Sequence, residues 1–145
     1  MRRFRTAALV TAMVVAGAGA MSTLSQQAPR KPLTLPLTCP LGEGGAAQLP
    51  SIDCTLLGGP PQTAGLRSGV VRLPAGNDVG WHTTGANEEE LVILQGTGEA
   101  DIEGQPAMLI GDGTIAYIPP QTRHDVKNTG TDVLAYVYVV APVAK

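Results

Sequence analysis

The sequence predicts an all-β fold, in which short antiparallel strands form a sandwich or a barrel. Its 145 residues include 18 glycines and 12 prolines, a share that favours strands joined by turns over helices. The apolar runs are short, and strand-like segments recur at intervals of about 8–12 residues. No segment shows the 3.6-residue apolar period of an amphipathic helix. The length suffices for one domain with a buried core.

The predicted strands follow a long irregular N-terminal part, and glycine, proline or asparagine separates most of them. One short strand is expected within Ser51–Leu57. Leu66–Leu73 follows and is ended by Pro74-Ala75-Gly76, and the long apolar Val133–Val140 closes the domain. Gly96-Thr97-Gly98 is predicted to be a turn. The remaining predicted strands are Glu89–Gln95, Glu99–Ile102, Ala107–Ile110, Thr114–Ile118 and His124–Lys127.

The first 20 residues have the three parts of an export signal. Arg2, Arg3 and Arg5 form a basic start, Ala7–Ala20 is apolar, and Ala18-Gly19-Ala20 matches a small-residue cleavage site. The apolar run is shorter than the roughly 20 residues that span a bilayer. We therefore expect a cleaved signal and a periplasmic or secreted protein that has no membrane partner after cleavage. An uncleaved anchor is the alternative.

The only two cysteines, Cys39 and Cys54, both follow this signal. In an oxidising compartment they are expected to form one disulfide, which the loop-entropy description values at about 3 kcal/mol. A pair of metal thiolates is the rival interpretation, and the absence of a nearby histidine disfavours it. The expected organisation is a signal peptide over residues 1–20, a proline-rich leader and disulfide-pinned arm over 21–63, and the barrel over 64–145.

The composition argues against nucleic acid as a partner. The formal charge is −2 and charged residues cluster only weakly, so the chain lacks the basic footprint that nucleic-acid binding requires. Without the basic residues of the signal, the chain is more acidic still. Only five residues are Phe, Trp or Tyr, which is too few for a platform on which bases or sugars stack.

Two glycine-bounded stretches contain the residues best suited to chemistry. Gly76–Gly96 holds His82 and the three acids Glu88-Glu89-Glu90, and Gly113–Asn128 holds His124, the only other histidine. We expect the two stretches to fold together and form one metal site. The plainer alternative is a hydrogen-bonded or surface position for each histidine, and a solvated loop for the acids.

Alternation along a strand places every second side chain on the same face. With Glu89 pointing inward, the residues that share its face are Leu91, Ile93 and Gln95. His124 points inward in the same way on the second stretch. Two imidazoles and one carboxylate then line one cavity. Such a set, with open positions, is the facial triad associated with non-haem iron, and it also binds Zn, Mn, Cu or Ni.

The first stretch resembles the first motif of the cupins, small β-barrels of the double-stranded jelly-roll type. That motif reads G-x5-H-x-H-x(3,4)-E-x6-G. The chain supplies Gly76, His82, Glu89 and Gly96 at the matching positions. Thr84 stands where the motif has its second histidine.

The second stretch resembles the second cupin motif, G-x5-P-x-G-x2-H-x3-N. Gly113, Pro119, His124 and Asn128 keep every spacing, and Gln121 stands in place of a glycine. Over both motifs, eight of ten fixed positions match. The resemblance implies a double-stranded antiparallel β-helix, or jelly-roll barrel, in the second half of the chain.

By resemblance, His82, Glu89 and His124 are the metal ligands, and Thr84 occupies a candidate fourth position. A threonine hydroxyl is a poor neutral ligand beside imidazole. The implied outcome is either three ligands with an extra open position, or a barrel that no longer holds a metal. An acid next to Glu89 would replace it only if the loop shifted by one residue.

Two functions stay open on the sequence. The first is an exported metalloenzyme with Fe, Mn, Zn, Ni or Cu in the site. It would act on a small anionic or oxygen-rich molecule by oxygenase, isomerase or lyase-type chemistry, with Glu88 or Tyr117 as a candidate proton carrier. The second is a non-catalytic small-molecule or metal-binding module with a degenerate site. The family resemblance also implies a homodimer formed through an edge strand.

Overall fold

The computed structural model describes residues 31–37 and 52–143. Within these ranges the regular structure is β throughout, as predicted, and no helix is long and apolar enough to cross a membrane. Every predicted strand is present, with ends that lie within two residues of the expected ones. The strands are β1 (Ile52–Gly58), β2 (Arg67–Leu73), β3 (His82–Thr83), β4 (Asn87–Gln95), β5 (Thr97–Ile102), β6 (Met108–Gly111), β7 (Ile115–Ile118), β8 (Arg123–Lys127) and β9 (Leu134–Pro142). The two-residue β3 is the strand that the sequence pattern does not predict.

The strands form two antiparallel sheets. One has five strands in the order β1-β2-β9-β4-β7, and the other has four in the order β3-β8-β5-β6. From β4 onward the chain crosses repeatedly between the sheets, because β4, β7 and β9 belong to the first and β5, β6 and β8 to the second. This is the antiparallel two-sheet arrangement expected of a jelly-roll barrel. Residues far apart in sequence therefore meet across the core.

The core lies between the sheets and is filled by alternate residues of the strands. On β4, Glu89, Leu91 and Ile93 are buried while the residues between them are more exposed. Burying one Leu or Ile side chain contributes roughly 1.5–3 kcal/mol, so the apolar alternation decides which face of each strand turns inward. The buried core cluster comprises Val71, Leu73, Leu91, Ile93, Ala100, Ile102, Ile110, Ala116, Ile118, Val126, Leu134 and Tyr136.

The connection between β4 and β5 is a single residue, Gly96, at which the chain changes sheets. The φ angle of Gly96 is +86°, and an added Cβ would lie 2.5 Å from the carbonyl oxygen of Val133. Only glycine fits this position without a clash. The predicted turn over Gly96-Thr97-Gly98 is therefore wrong in extent, because β5 already begins at Thr97.

The expectation that Gln95 points inward with Glu89 is also wrong. The pairing of β4 with β9 shifts register between Ile93 and Gln95. Such a bulge inserts one extra residue and reverses the alternation beyond it. Gln95 is consequently exposed, whereas Ile93 is 2% exposed.

Part of the predicted arm belongs to the sheet. β1 pairs with β2 from Ile52 to Gly58, with a register shift between Thr55 and Leu57, so the five-stranded sheet begins before the expected start of the barrel at residue 64. Cys54 lies on β1, whereas Cys39 and the predicted signal peptide lie outside the described residues. The disulfide and the signal therefore stay predictions.

Gln121 adopts the backbone conformation of the motif glycine that it replaces. Its φ angle is +58°, and it is the non-glycine residue with positive φ in the described ranges. The Gln121 N–H donates to the Gly85 carbonyl at 2.7 Å, which ties the β7–β8 turn to the β3–β4 loop. A side chain in this conformation costs on the order of 1–2 kcal/mol. The turn geometry is thus kept despite the replacement.

Candidate metal centre

Strand pairing brings the two histidines together. β3 and β8 are antiparallel neighbours, and His82 is directly opposite His124 in their register. Opposite residues of an antiparallel pair project to the same face. The two imidazole rings accordingly lie with their centroids 4.1 Å apart and their planes at 57°.

Glu89 approaches these rings from the other sheet. It lies on β4, paired with Ile118 of β7 and Val140 of β9. One oxygen of its carboxylate is 3.4 Å from His124 Nε2, and ligand atoms of all three residues lie within 4.8 Å of one another. The structure therefore brings together the three residues that the motif spacing singled out.

The separation of these atoms suits one cation. Nitrogen and oxygen ligands at about 2.0–2.2 Å from a metal lie roughly 3–3.5 Å from each other. The Glu89–His124 distance already meets this requirement. His82 is exposed, whereas His124 is 0% exposed and Glu89 is 9% exposed. To bring all three ligand atoms around one cation, the exposed His82 side chain is therefore the one that would move.

The strongest sign of a missing partner is His124 Nε2. It is the one buried side-chain nitrogen or oxygen in the described residues without a hydrogen bond. Leaving such an atom unpaired costs about 1–3 kcal/mol. A bound cation would remove that cost, since the imidazole lone pair would become a ligand. The donor set of two imidazoles and one carboxylate also fits a divalent transition metal.

Backbone carbonyls orient both imidazoles. His82 Nδ1 lies 2.9 Å from the Gly80 carbonyl oxygen, and His124 Nδ1 lies 3.4 Å from that of Thr122. A carbonyl only accepts, so each Nδ1 carries the proton and each Nε2 keeps its lone pair for the site. Both carbonyls belong to the residue two positions before the histidine, which repeats one local geometry on two strands.

Thr84, the candidate fourth position, has a structural task. Its buried hydroxyl donates to the Pro119 carbonyl at 3.0 Å and accepts from the Thr122 N–H at 3.1 Å. These two bonds join the β3–β4 loop to the β7–β8 turn. The candidate site therefore consists of His82, Glu89 and His124, and Thr84 helps to hold β3 beside β8.

Glu88 and Tyr117 do not face the site, so their predicted part in moving a proton is wrong. They flank Glu89 and Ile118 on β4 and β7 and project to the outer face of the sheet, where the Tyr117 hydroxyl donates to Glu88 at 3.2 Å. Lost hydration and the charge of Glu88 raise the pKa of Tyr117. Glu90 is exposed on the same outer side. Neither neighbouring acid can take the place of Glu89.

Arg123 is also turned away from the cavity. Its Nη1 atom lies 2.8 Å from Glu103, and its guanidinium carbon is 5.0 Å from the centre of the Trp81 ring. The pair with Glu103 is exposed and contributes little to stability. Trp81 and Arg123 therefore cover the outer face of the smaller sheet.

A cavity of about 500 Å³ opens beside the ligands, and His82, Thr84 and Glu89 form part of its wall. Two tyrosines of β9, Tyr136 and Tyr138, also line it. Burial, followed by the charge of Glu89, raises the pKa of Tyr136 far above its ordinary value. Burial raises the pKa of Tyr138 as well. Both hydroxyls are therefore protonated at neutral pH.

The far side of this cavity contains residues that sequence reasoning missed. Asp53 and Thr55 from β1 and Arg67 from β2 line it. A weak signal was present, because Asp53 and Thr55 alternate with Cys54 and Leu56 as they would on a strand. The proline- and glycine-rich surroundings of β1 masked that signal.

Family and fold comparisons agree with this geometry. The sequence profile of the cupin domain matches residues 69–140. The chain belongs to the cupins. The matched segment begins in β2 and ends in β9, so it contains all three ligand residues. None of the curated protein sequences matches this cupin.

Solved structures show the same fold. The cupin domain of Cnp3 from Schizosaccharomyces pombe has a TM-score of 0.57 and 22% identity, over 63% of this chain and 64% of that one. An RmlC-like cupin with a double-stranded β-helix fold from Methanocaldococcus jannaschii has a TM-score of 0.57 and 22% identity, over 64% of this chain and 81% of that one. The DMSP lyase DddQ from Ruegeria pomeroyi has a TM-score of 0.57 and 21% identity, over 73% of this chain and 54% of that one. This cupin thus spans less than two thirds of the first and the last.

We predict that Thr84→Val destabilises this cupin without removing its metal capacity. Valine keeps the side-chain shape but leaves the Pro119 carbonyl and the Thr122 N–H unpaired, which costs about 1–3 kcal/mol. Urea denaturation measures the loss, and elemental analysis measures bound metal. The neighbouring Thr83→Val is the control, because its exposed hydroxyl accepts a single bond, from Gly85. Loss of metal at unchanged stability would instead make Thr84 a ligand.

Proposed function

We propose that this cupin is an exported protein that holds one divalent transition metal through His82, Glu89 and His124. We further propose that the loaded site acts on a small anionic or oxygen-rich molecule. The observation that carries the metal proposal is His124 Nε2, a fully buried atom without a hydrogen bond that lies 3.4 Å from Glu89. Two neutral imidazoles and one carboxylate suit Fe, Mn, Zn, Ni or Cu.

The cavity supports chemistry of the oxygenase, isomerase or lyase type. A metal in this site would supply Lewis acidity or, in the case of iron, oxygen activation. The chain supplies the remaining requirements: Tyr136 and Tyr138 present protonated hydroxyls, and Val71, Val126 and Val140 form apolar walls. Such walls lower the local dielectric and strengthen polar contacts with a bound molecule. The similarity to a lyase supports this reaction class by fold analogy only.

A non-catalytic binding module is the second candidate. Its support is the position of Glu88 and Tyr117, which leaves Glu89 as the one carboxylate beside the histidines in the described residues. Because Glu89 is committed to the metal in this proposal, the three-residue cluster has no spare carboxylate to act as an acid or base. The cavity would then bind its molecule without changing it. An edge-strand homodimer stays a prediction from the family resemblance.

We predict that the purified protein binds about one transition metal ion per chain, and that His82→Ala, His124→Ala and Glu89→Gln each abolish stoichiometric binding. Removal of one of three ligands leaves a site too weak to survive purification. Elemental mass spectrometry after gel filtration gives the ratio. Glu88→Gln is the matched control, because it makes the same change one residue away on the outer face.

The control variant should retain the full metal content. Equal metal loss in Glu88→Gln and Glu89→Gln would mean that surface charge, rather than coordination, holds the ion. Metal-free wild-type protein whose melting temperature is unaffected by added Zn²⁺ or by a chelator would contradict the metal proposal. Metal binding with no turnover of any oxygen-rich molecule would favour the binding module.

Export and the disulfide are tested together by intact-mass measurement of the protein outside the cytoplasm. We predict a mature chain that lacks residues 1–20 and contains no thiol that reacts with iodoacetamide, because Cys39 and Cys54 pair in an oxidising compartment. Cys39→Ser is the control and should expose one reactive thiol. A full-length chain in the membrane fraction would indicate the uncleaved anchor, and two reactive thiols would contradict the disulfide.

A further inference from the structure

The cavity beside the ligands has a second polar end, which is built by the edge of the five-stranded sheet. Asp53 and Thr55 of β1, Arg67 of β2 and Tyr138 of β9 line it. Asp53, Thr55 and Arg67 all precede the segment that matches the cupin domain. This end of the cavity is therefore formed largely by residues that lie before the segment matched by the cupin profile.

The strand register fixes the distance between the two ends. Arg67 is opposite Val140 in the β2–β9 pairing, and Val140 is opposite Glu89 in the β9–β4 pairing. The three residues therefore form one row across the inner face of the sheet. Neighbouring strands are about 4.8 Å apart, so the backbone of Arg67 lies roughly 10 Å from that of Glu89. A short molecule would span the gap between the guanidinium and the metal ligands.

Arg67 is positioned, but its charge has no partner among the described residues. None of the three ion pairs found there includes it. Its stem runs past the buried Gly59, where an added Cβ would lie 3.3 Å from Arg67 Cγ. A planar guanidinium in such a position binds a carboxylate through two parallel hydrogen bonds.

Tyr138 completes this end. Its hydroxyl occupies the space above Gly69, where an added Cβ would lie 2.5 Å from it. Burial raises the pKa of Tyr138, the negative charge of Asp53 adds to this shift, and the charge of Arg67 opposes it, so both charged side chains act on this hydroxyl. Asp53 forms no ion pair with Arg67 in the described part of the chain, which leaves the guanidinium available to a ligand.

The charge balance of the loaded cavity favours an anion. With a divalent cation bound, the cation and Arg67 together outweigh the carboxylates of Asp53 and Glu89 by one unit. Half-apolar walls raise the strength of the remaining attraction above its value in water. A cavity of about 500 Å³ is also within the range of roughly 300–1,000 Å³ typical of small-molecule sites.

We propose that Arg67 binds the carboxylate of a short-chain substrate whose other end carries an oxygen donor, such as a second carboxylate, directed at His82, Glu89 and His124. This proposal rests on the proposed metal site, because the second oxygen needs the cation as its partner. Arg67 is then the specificity-determining residue of the cavity.

Calorimetric titration of the full-length, Zn²⁺-loaded protein with succinate tests the proposal, with metal content measured on the same samples. We expect Arg67→Gln to weaken succinate binding by about tenfold to a hundredfold, the value of a charged bidentate contact, at unchanged metal content. Arg72→Gln is the matched control: it removes the same charge from the same strand, but its side chain alternates to the opposite face from Val71. It should bind succinate like the wild type.

Titrations with butyrate and with inorganic phosphate test the two ends of the ligand separately. Butyrate lacks the second oxygen donor and should bind more weakly than succinate, yet still depend on Arg67. The proposal is overturned if Arg67→Gln binds succinate as tightly as the wild type, if both arginine variants lose affinity equally, or if inorganic phosphate binds while succinate does not. A protein that binds no Zn²⁺ would contradict the proposed metal site instead. In that case, butyrate binding that is lost in Arg67→Gln would still support the contact between Arg67 and a carboxylate, and butyrate binding that is unchanged would overturn it.

Discussion

A buried imidazole nitrogen beside a buried carboxylate is the constraint on which the site depends. His124 Nε2 and the Glu89 carboxylate belong to different sheets and face each other across the core at 3.4 Å. A hydrophobic interior tolerates such groups only when they are paired. The crossing of the chain between the two sheets creates the pair, and a divalent cation bound between its members would satisfy both. Packing and chemistry therefore meet at one contact.

Hydrogen bonds between the loops around this contact explain how a very short strand can hold His82 in position. β3 has two residues, and pairing alone would not hold it. The Thr84 hydroxyl and the Gln121 N–H connect the flanking loops on either side of it. His82 nevertheless remains at the exposed mouth, which provides an entry path for a metal and a ligand. Two buried candidate ligands and one exposed histidine thus place the site between the core and the solvent.

Much of this arrangement is predictable from the sequence, for reasons that are local. Glycine and proline mark the strand ends, and the spacing from His82 to Glu89 to Gly96 identifies the middle acid as the ligand. The errors have a common cause in long-range structure. Gln95 points outward because the pairing of β4 with β9 contains a bulge. Glu88 does not contact the site, because the neighbouring Glu89 points to the inner face of the sheet. Arg67 was missed because Asp53 and Thr55, which line the same end of the cavity, belong to β1. No local sequence pattern reveals that β1 pairs with β2.

The cavity thus has one end made by the cupin motifs and another made by residues of β1 and β2 that precede the matched segment. An anomalous difference map from crystals grown with Zn²⁺ tests the central claim most directly. The account predicts one strong peak in the barrel, at about 2.0–2.2 Å from His82 Nε2, His124 Nε2 and a Glu89 oxygen. A barrel without such a peak, in which His124 Nε2 donates a hydrogen bond to Glu89 or to water, would contradict it.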